Sequence, residues 1–213
     1  MYLLRERKIM TRKFDKLYIT LKARLHGLEY YRALLSLETA RDIHKGLRKD
    51  GVTPEFQHQL EIALFLMTLK NVQNLEDVII CALLHDTFED YPTALTEQWV
   101  SEHLGAHILR SLQFLNKNLW ANYDTYFANL ATDPVASLVK GADRVHNIQS
   151  MNRGKFTIEK QKKYAGEVIE FFLPMLKKAR KRFPVQIDAY YNIENMLKSQ
   201  HELIMLIVEA KSA

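Results

Sequence analysis

Apolar residues return at every third or fourth position along almost the whole chain, and helices are the structures that need that period. Little interrupts the pattern, with 7 glycines and 5 prolines in 213 residues. No alternating run bounded by turn residues marks a strand. The expected fold is all-α. Several helix starts are legible. Thr53-Pro54-Glu55 offers an N-cap followed by proline at the first helical position, and Asp133-Pro134 opens the run Val135 to Met151 in the same way. Asn74 precedes the first-turn acids of Leu75-Glu76-Asp77, and Thr157 precedes Ile158-Glu159. Gly51, Gly105 and Gly154 mark breaks, and 154–158 is the candidate for a longer loop. No repeat, low-complexity stretch or linker divides the chain, so one domain over residues 1–213 is expected.

Composition narrows the class. At 47% hydrophobic and 26% charged, the chain can bury a core and is not a disordered segment. Cys81 is the single cysteine and lies inside the apolar run Val78 to Leu84, which points to a buried free thiol in a reducing compartment. No apolar stretch approaches the ~20 residues of a membrane helix. The N-terminal apolar stub is too short for a signal peptide. A soluble, cytoplasmic protein is expected, with no membrane partner. The net charge of +5 is unevenly spread. It is +7 over 1–50 (13 Lys/Arg, 6 Asp/Glu), −7 over 51–150 (5 against 12) and +5 over 151–213 (12 against 7). An acidic centre between basic flanks suits a bound cation with a polyanion laid across it.

Two constellations carry chemistry. The first is His85-Asp86-Thr87-Phe88-Glu89-Asp90, directly after the apolar run that ends at Leu84. On a continuous helix, residues 85, 86, 89 and 90 fall at about 0°, 100°, 40° and 140°. Four ionisable groups would then share one side where a helix leaves the core. Imidazole and carboxylate together suit a divalent first-row metal. The second is Lys140 to Ser150, where Asp143, Asn147 and Ser150 stand at i, i+4 and i+7, with Lys140 on nearly the same stripe. Such a stripe on a mostly apolar helix lines a polar pocket or simply faces water. A third piece is Arg48-Lys49-Asp50-Gly51, followed by His58. A lone histidine there is usually structural.

Order and wording join these pieces. Ala82 to Asp90 resembles the ALLHD-x-x-ED motif, Val139 to Ile148 resembles K-x-ADR-x-HN-M, and His44 to Gly51 resembles H-x-G-Q-x-R-K-S-G. These are signatures of HD phosphohydrolases, and specifically of the hydrolase domain of RelA/SpoT-type alarmone enzymes. The resemblance covers about residues 35–180. The chain stops at residue 213, so no synthetase domain is expected, and it resembles a stand-alone small alarmone hydrolase. The resemblance implies an HD-domain helical bundle of about ten helices.

It also implies removal of the 3′-pyrophosphate from guanosine tetra- and pentaphosphate (ppGpp and pppGpp), giving GDP or GTP, with Mn²⁺ as the usual cofactor. Matched by position, His58, His85, Asp86 and Asp143 would hold the metal, and Glu89 and Asp90 would be the catalytic acidic pair. Arg48, Lys49, Lys140, Arg144, Asn147 and Ser150 would serve the nucleotide. The chain departs from the pattern at Leu47, at Asp50 to Phe56, at Gln59, at Tyr91 and at Gln149. These positions flank the base and phosphate pocket, so an adenosine analogue of the alarmone stays open as substrate.

Three other readings remain open at this point. One is an HD nucleotidase releasing orthophosphate from nucleoside monophosphates, and another is a sensor that binds a nucleotide without turnover. The third is nucleic-acid binding, suggested by the basic tracts 160–163 and 177–182 and a pI near 9.1. It is disfavoured, because the second tract reads as a basic helix C-terminus that the helix dipole favours. The amphipathic tail, residues 184–210, with Ile193, Met196, Leu197, Ile204, Leu206 and Ile207, either packs back on the domain or forms a homo-oligomer contact.

Overall fold

A computed structural model describes residues 2–48, 50–151 and 156–212. Among these residues there are twelve α-helices and no strand; an isolated bridge pairs Leu47 with Pro54. The all-α expectation holds, with two more helices than anticipated.

Helix α4 (Leu75–Leu84) is the centre of the fold. Every residue from Asp77 to Leu84 is buried, including Cys81. A helix apolar all round needs cover on every side. Here α2 (Tyr31–Ile43), α3 (Gln57–Leu66), α7 (Ala106–Leu115) and α9 (Pro134–Ser150) supply it. Burial of each large aliphatic chain there is worth about 1.5–3 kcal/mol. Helix α2 has no side-chain cap of its own. The Glu76 carboxylate of α4 accepts from its backbone N–H groups at Arg32 (3.0 Å) and Ala33 (3.3 Å) instead.

Helix α9 begins as expected, with Asp133 accepting from Val135 N at 3.0 Å and Ala136 N at 2.7 Å. Its apolar face enters the core through Leu138, Val139, Ala142 and Val145. Its other side carries the terminal helix α12 (Ile187–Ser212). Ala189, Tyr190, Ile193, Leu197, Ile204 and Val208 of α12 are buried, so the tail packs back on α9, α10 (Ile158–Glu167) and α11 (Leu173–Arg182). Leu203 and Leu206 stay exposed. Long helix α1 (Tyr2–Gly27) lies across α2 and α3. No helix among the described residues is long and apolar enough to cross a membrane.

Two local expectations are corrected. Thr53 is not an N-cap. Its hydroxyl donates to Asp50 Oδ2 at 2.5 Å, while Asp50 Oδ1 accepts from the backbone of Val52 and Thr53, and α3 starts only at Gln57. The residues form a tight loop instead, with Gly51 at φ +72° and Arg48 N bonded to Thr53 O at 2.8 Å. Nor does one helix run through 85–90. Helix α4 ends at Leu84, and a separate turn, α5 (Thr87–Asp90), starts after Asp86. The candidate loop 154–158 lies partly outside the described residues, whereas Thr157 caps α10 by accepting from Lys160 N at 3.3 Å.

Candidate active site

Three segments converge on one point. His58 comes from the first turn of α3, His85 and Asp86 from the break between α4 and α5, and Asp143 from the middle of α9. Ring nitrogens of the two histidines and an oxygen of Asp86 lie within 4.8 Å of one another. Asp143 Oδ1 joins them, 3.0 Å from His58 Nε2 and 3.7 Å from His85 Nε2. The helix break falls just after this pair: His85 and Asp86 keep right-handed helical backbone, and α5 starts at Thr87.

The donor set can be tested for a metal on one atom. His85 Nδ1 lies 2.9 Å from the Ala82 carbonyl, to which it donates, so Nε2 is the nitrogen left for the site. That Nε2 is buried and makes no hydrogen bond, although Asp86 Oδ2 is 2.8 Å away. The carboxylate is close but out of line, as two ligands of one ion would be. Two imidazoles and two carboxylates on an inward-facing orphan nitrogen fit a divalent first-row ion.

Electrostatics agree. Burial alone would lower the His85 pKa, yet Asp86 and Asp143 outweigh it and push it up to about 10. Burial lowers His58 to about 4, so that ring is neutral. Against the upward pull of burial, His85 brings Asp86 down to about 2, and Lys140, His58 and His85 hold Asp143 well below its ordinary range. Lys140 Nζ sits 3.1 Å from Asp143 Oδ2. Burial would lower its pKa, but Tyr126, Asp143 and Asp86 raise it. The centre thus keeps two carboxylates ionised and demands positive charge between them.

This centre opens on a cavity of about 810 Å³, within the size range of small-molecule sites. Glu89 and Asp90 line it beside Asp86. The Glu89 carboxylate accepts from Lys117, while burial, Asp86 and Glu55 raise the Asp90 pKa. Across the cavity Arg48 donates to Asn147 Oδ1 at 3.2 Å, and Asn147 Nδ2 donates to Asp143 Oδ1 at 2.6 Å. Ser150 lines the same wall, its hydroxyl donating to the Asn147 carbonyl at 3.0 Å. Arg144 pairs with Glu167 at 2.8 Å between the rings of Tyr164 and Phe172. Lys140 and Arg144 therefore face carboxylates first and the cavity second. Lys49 lies outside the described residues.

Residues 36–117 match the HD domain family. Over 158 residues the chain is 30% identical to the guanosine-3′,5′-bis(diphosphate) 3′-pyrophosphohydrolase of Aquifex aeolicus (strain VF5), covering 70% of this chain and 21% of that protein. The chain carries an HD domain of the RelA/SpoT hydrolase type. It is also similar to the GTP pyrophosphokinase of Myxococcus xanthus, 33% identical over 62% of this chain and 18% of that one. The bifunctional (p)ppGpp synthase/hydrolase SpoT of Escherichia coli (strain K12) is 28% identical over 64% of this chain and 20% of its own length. The chain thus spans about a fifth of the length of these relatives. The matched HD segment contains His58, His85, Asp86 and the acidic pair, and Asp143 lies beyond it.

Around the HD centre the structure adds residues to which sequence reading gave no role. Behind His58, His146 Nδ1 lies 2.7 Å from His58 Nδ1, and His146 Nε2 lies 2.6 Å from Glu61 Oε2. Glu61 Oε1 in turn accepts from Lys13 at 2.5 Å and Gln57 at 3.1 Å. Beside Asp90, Glu55 accepts from Tyr91 at 2.6 Å and lies 3.3 Å from His44. His146 stands in the motif and was visible; Glu61, one turn after His58 on α3, carried the only other signal.

Proposed function

We propose that this HD domain hydrolyses the 3′-pyrophosphate of guanosine tetra- and pentaphosphate, or of their adenosine analogues, releasing pyrophosphate and leaving GDP or GTP (ADP or ATP). The observation that carries the reading is the meeting of His58, His85, Asp86 and Asp143 beside a nucleotide-sized cavity that His58, Asp86, Asp143 and the acidic pair line. The names of the Aquifex and Escherichia relatives supply the substrate class.

His58, His85, Asp86 and Asp143 would hold the ion, with Mn²⁺ the cofactor proposed. Such an ion supplies Lewis acidity, drawing charge from a phosphoryl oxygen and lowering the pKa of water. Asp90, raised above its ordinary value, is suited to take a proton from the attacking water. Glu89, held by Lys117, orients that water. Water adds at the phosphorus next to O3′, the P–O3′ bond breaks, and O3′ gains a proton as pyrophosphate leaves. Arg48 offers a planar guanidinium to the base, fixed against Asn147, and Lys140, Arg144 and Ser150 complete the nucleotide wall, while Lys49 is assigned to the phosphates on the motif resemblance alone.

The test is product analysis of purified protein with Mn²⁺ and a panel of guanosine and adenosine 3′-pyrophosphates and plain monophosphates. Pyrophosphate from the first group is the expected result, and the guanine-to-adenine ratio names the substrate. Orthophosphate from monophosphates alone would make it a nucleotidase, and affinity without turnover would make it a sensor.

A further inference from the structure

His58 can serve a cation only if its Nε2 presents a lone pair to the site, which requires its proton to sit on Nδ1. On the cavity side Asp143 Oδ1, 3.0 Å from Nε2, can only accept and draws the proton toward Nε2, so the opposite choice must be enforced from behind the ring. The 2.7 Å contact between His58 Nδ1 and His146 Nδ1 admits one proton, so one ring donates and the other accepts. What lies behind His146 decides the direction. Glu61 Oε2, 2.6 Å from His146 Nε2, is a carboxylate oxygen and can only accept. His146 in its neutral form therefore keeps its proton on Nε2 and turns the Nδ1 lone pair toward His58. His58 must then donate from Nδ1, so the Nε2 lone pair is turned toward Asp143 and is available to a cation lying between them.

We infer that Glu61 is a positioning residue that acts through His146, fixing which nitrogen of His58 faces the cation. The inference rests on the metal-site reading above. Glu61 is well placed for the task. Its second oxygen is claimed by Lys13 of α1 and Gln57 of α3, so the carboxylate cannot rotate away from His146. Carboxylate, imidazole and imidazole form a relay of short contacts from the inner face of α1 to the candidate centre.

Glu61→Gln tests the direction of this relay at constant shape. Lys13 and Gln57 both need an acceptor and hold the amide oxygen, so the amide NH₂ turns to His146. His146 must then accept at Nε2 and donate from Nδ1, which forces the His58 proton onto Nε2, where the cation should sit. Mn²⁺ affinity, read by paramagnetic resonance of free ion and independent of turnover, is expected to fall 10–100-fold, as outer-shell changes typically do. The thermal midpoint of the metal-free variant should stay within a few degrees of the parent. His146→Asn should weaken binding comparably, and Glu61→Gln added to it should cost nothing further, because the route is already cut. Equal Mn²⁺ affinity in Glu61→Gln and parent would overturn the proposal, as would full additivity of the two substitutions. A parent that binds no Mn²⁺ at all would instead remove the metal-site reading.

Discussion

Asp86 and Glu89 stand three residues apart and should fail in different ways. Asp86→Ala removes one of two carboxylates that hold the centre's charge, so metal binding and turnover are expected to vanish together. Glu89→Ala leaves that centre intact. Mn²⁺ affinity should change little while kcat falls about 10²–10⁴-fold, the usual worth of proton-transfer help. Equal activity in Glu89→Ala and parent would remove that residue from the chemistry. His85 sets a pH signature. Its pKa is raised in the fold from 6.5 to about 10, so the stability it contributes is complete below pH 6.5 and lost as pH rises toward 10. Without metal and with a chelator present, the melting temperature is expected to drop by several degrees between pH 7 and pH 10. Mn²⁺ should abolish most of that drop, because the ion takes the place of the proton on Nε2. A flat profile under chelation would show that the two carboxylates do not act on His85 as described.

Among elements, α9 does the most for the site, since it brings Asp143, Asn147 and Ser150 to the cavity while α12 crosses its other side. Gly141 makes that crossing close. A Cβ there would lie 3.0 Å from both Ile193 Cγ2 and Leu176 Cδ2. Gly141→Val should therefore destabilise by about 1–3 kcal/mol through overpacking. Differential scanning should show a lower melting point, by roughly 2–4 °C per kcal/mol for a chain of this size. How much of each element was legible follows from how local its cause is. Asp133 and Thr157 could be read because a cap bonds its own first turn. Thr53 was misread because Asp50, three residues back, claims its hydroxyl and builds a loop that aims Arg48. The run 85–90 looked like one helix because its composition suits one; the break at Asp86, after which α5 restarts with Asp90 N bonded to Asp86 O at 2.8 Å, leaves no mark in the composition. Glu61, 85 residues from His146, and Lys13, 48 residues from Glu61, meet only after α1, α3 and α9 pack. No spacing in the chain announces such a meeting.

At the scale of the whole molecule, the charge segregation of the sequence becomes a single place. The acidic segment 51–150 supplies Asp86, Glu89, Asp90 and Asp143, and the basic segment 1–50 sends Arg48 to the same cavity. Because three separate segments share one candidate ion, binding should tie them together. At a hundred times its dissociation constant, Mn²⁺ is expected to add about 2.7 kcal/mol to the folded state, seen as a higher melting temperature that a chelator reverses. Absence of any shift would argue that the four side chains do not bind one ion in common. The reaction itself can be followed in one experiment: phosphorus-31 resonance of the Mn²⁺-supplied protein with a guanosine 3′-pyrophosphate in ¹⁸O-water, the metal being chelated before the spectrum is taken. The expected result is intact pyrophosphate carrying one ¹⁸O, shifted by its isotope, with the label absent from the nucleotide. Orthophosphate in place of pyrophosphate, or label in the nucleotide, would contradict attack by water at the phosphorus next to O3′.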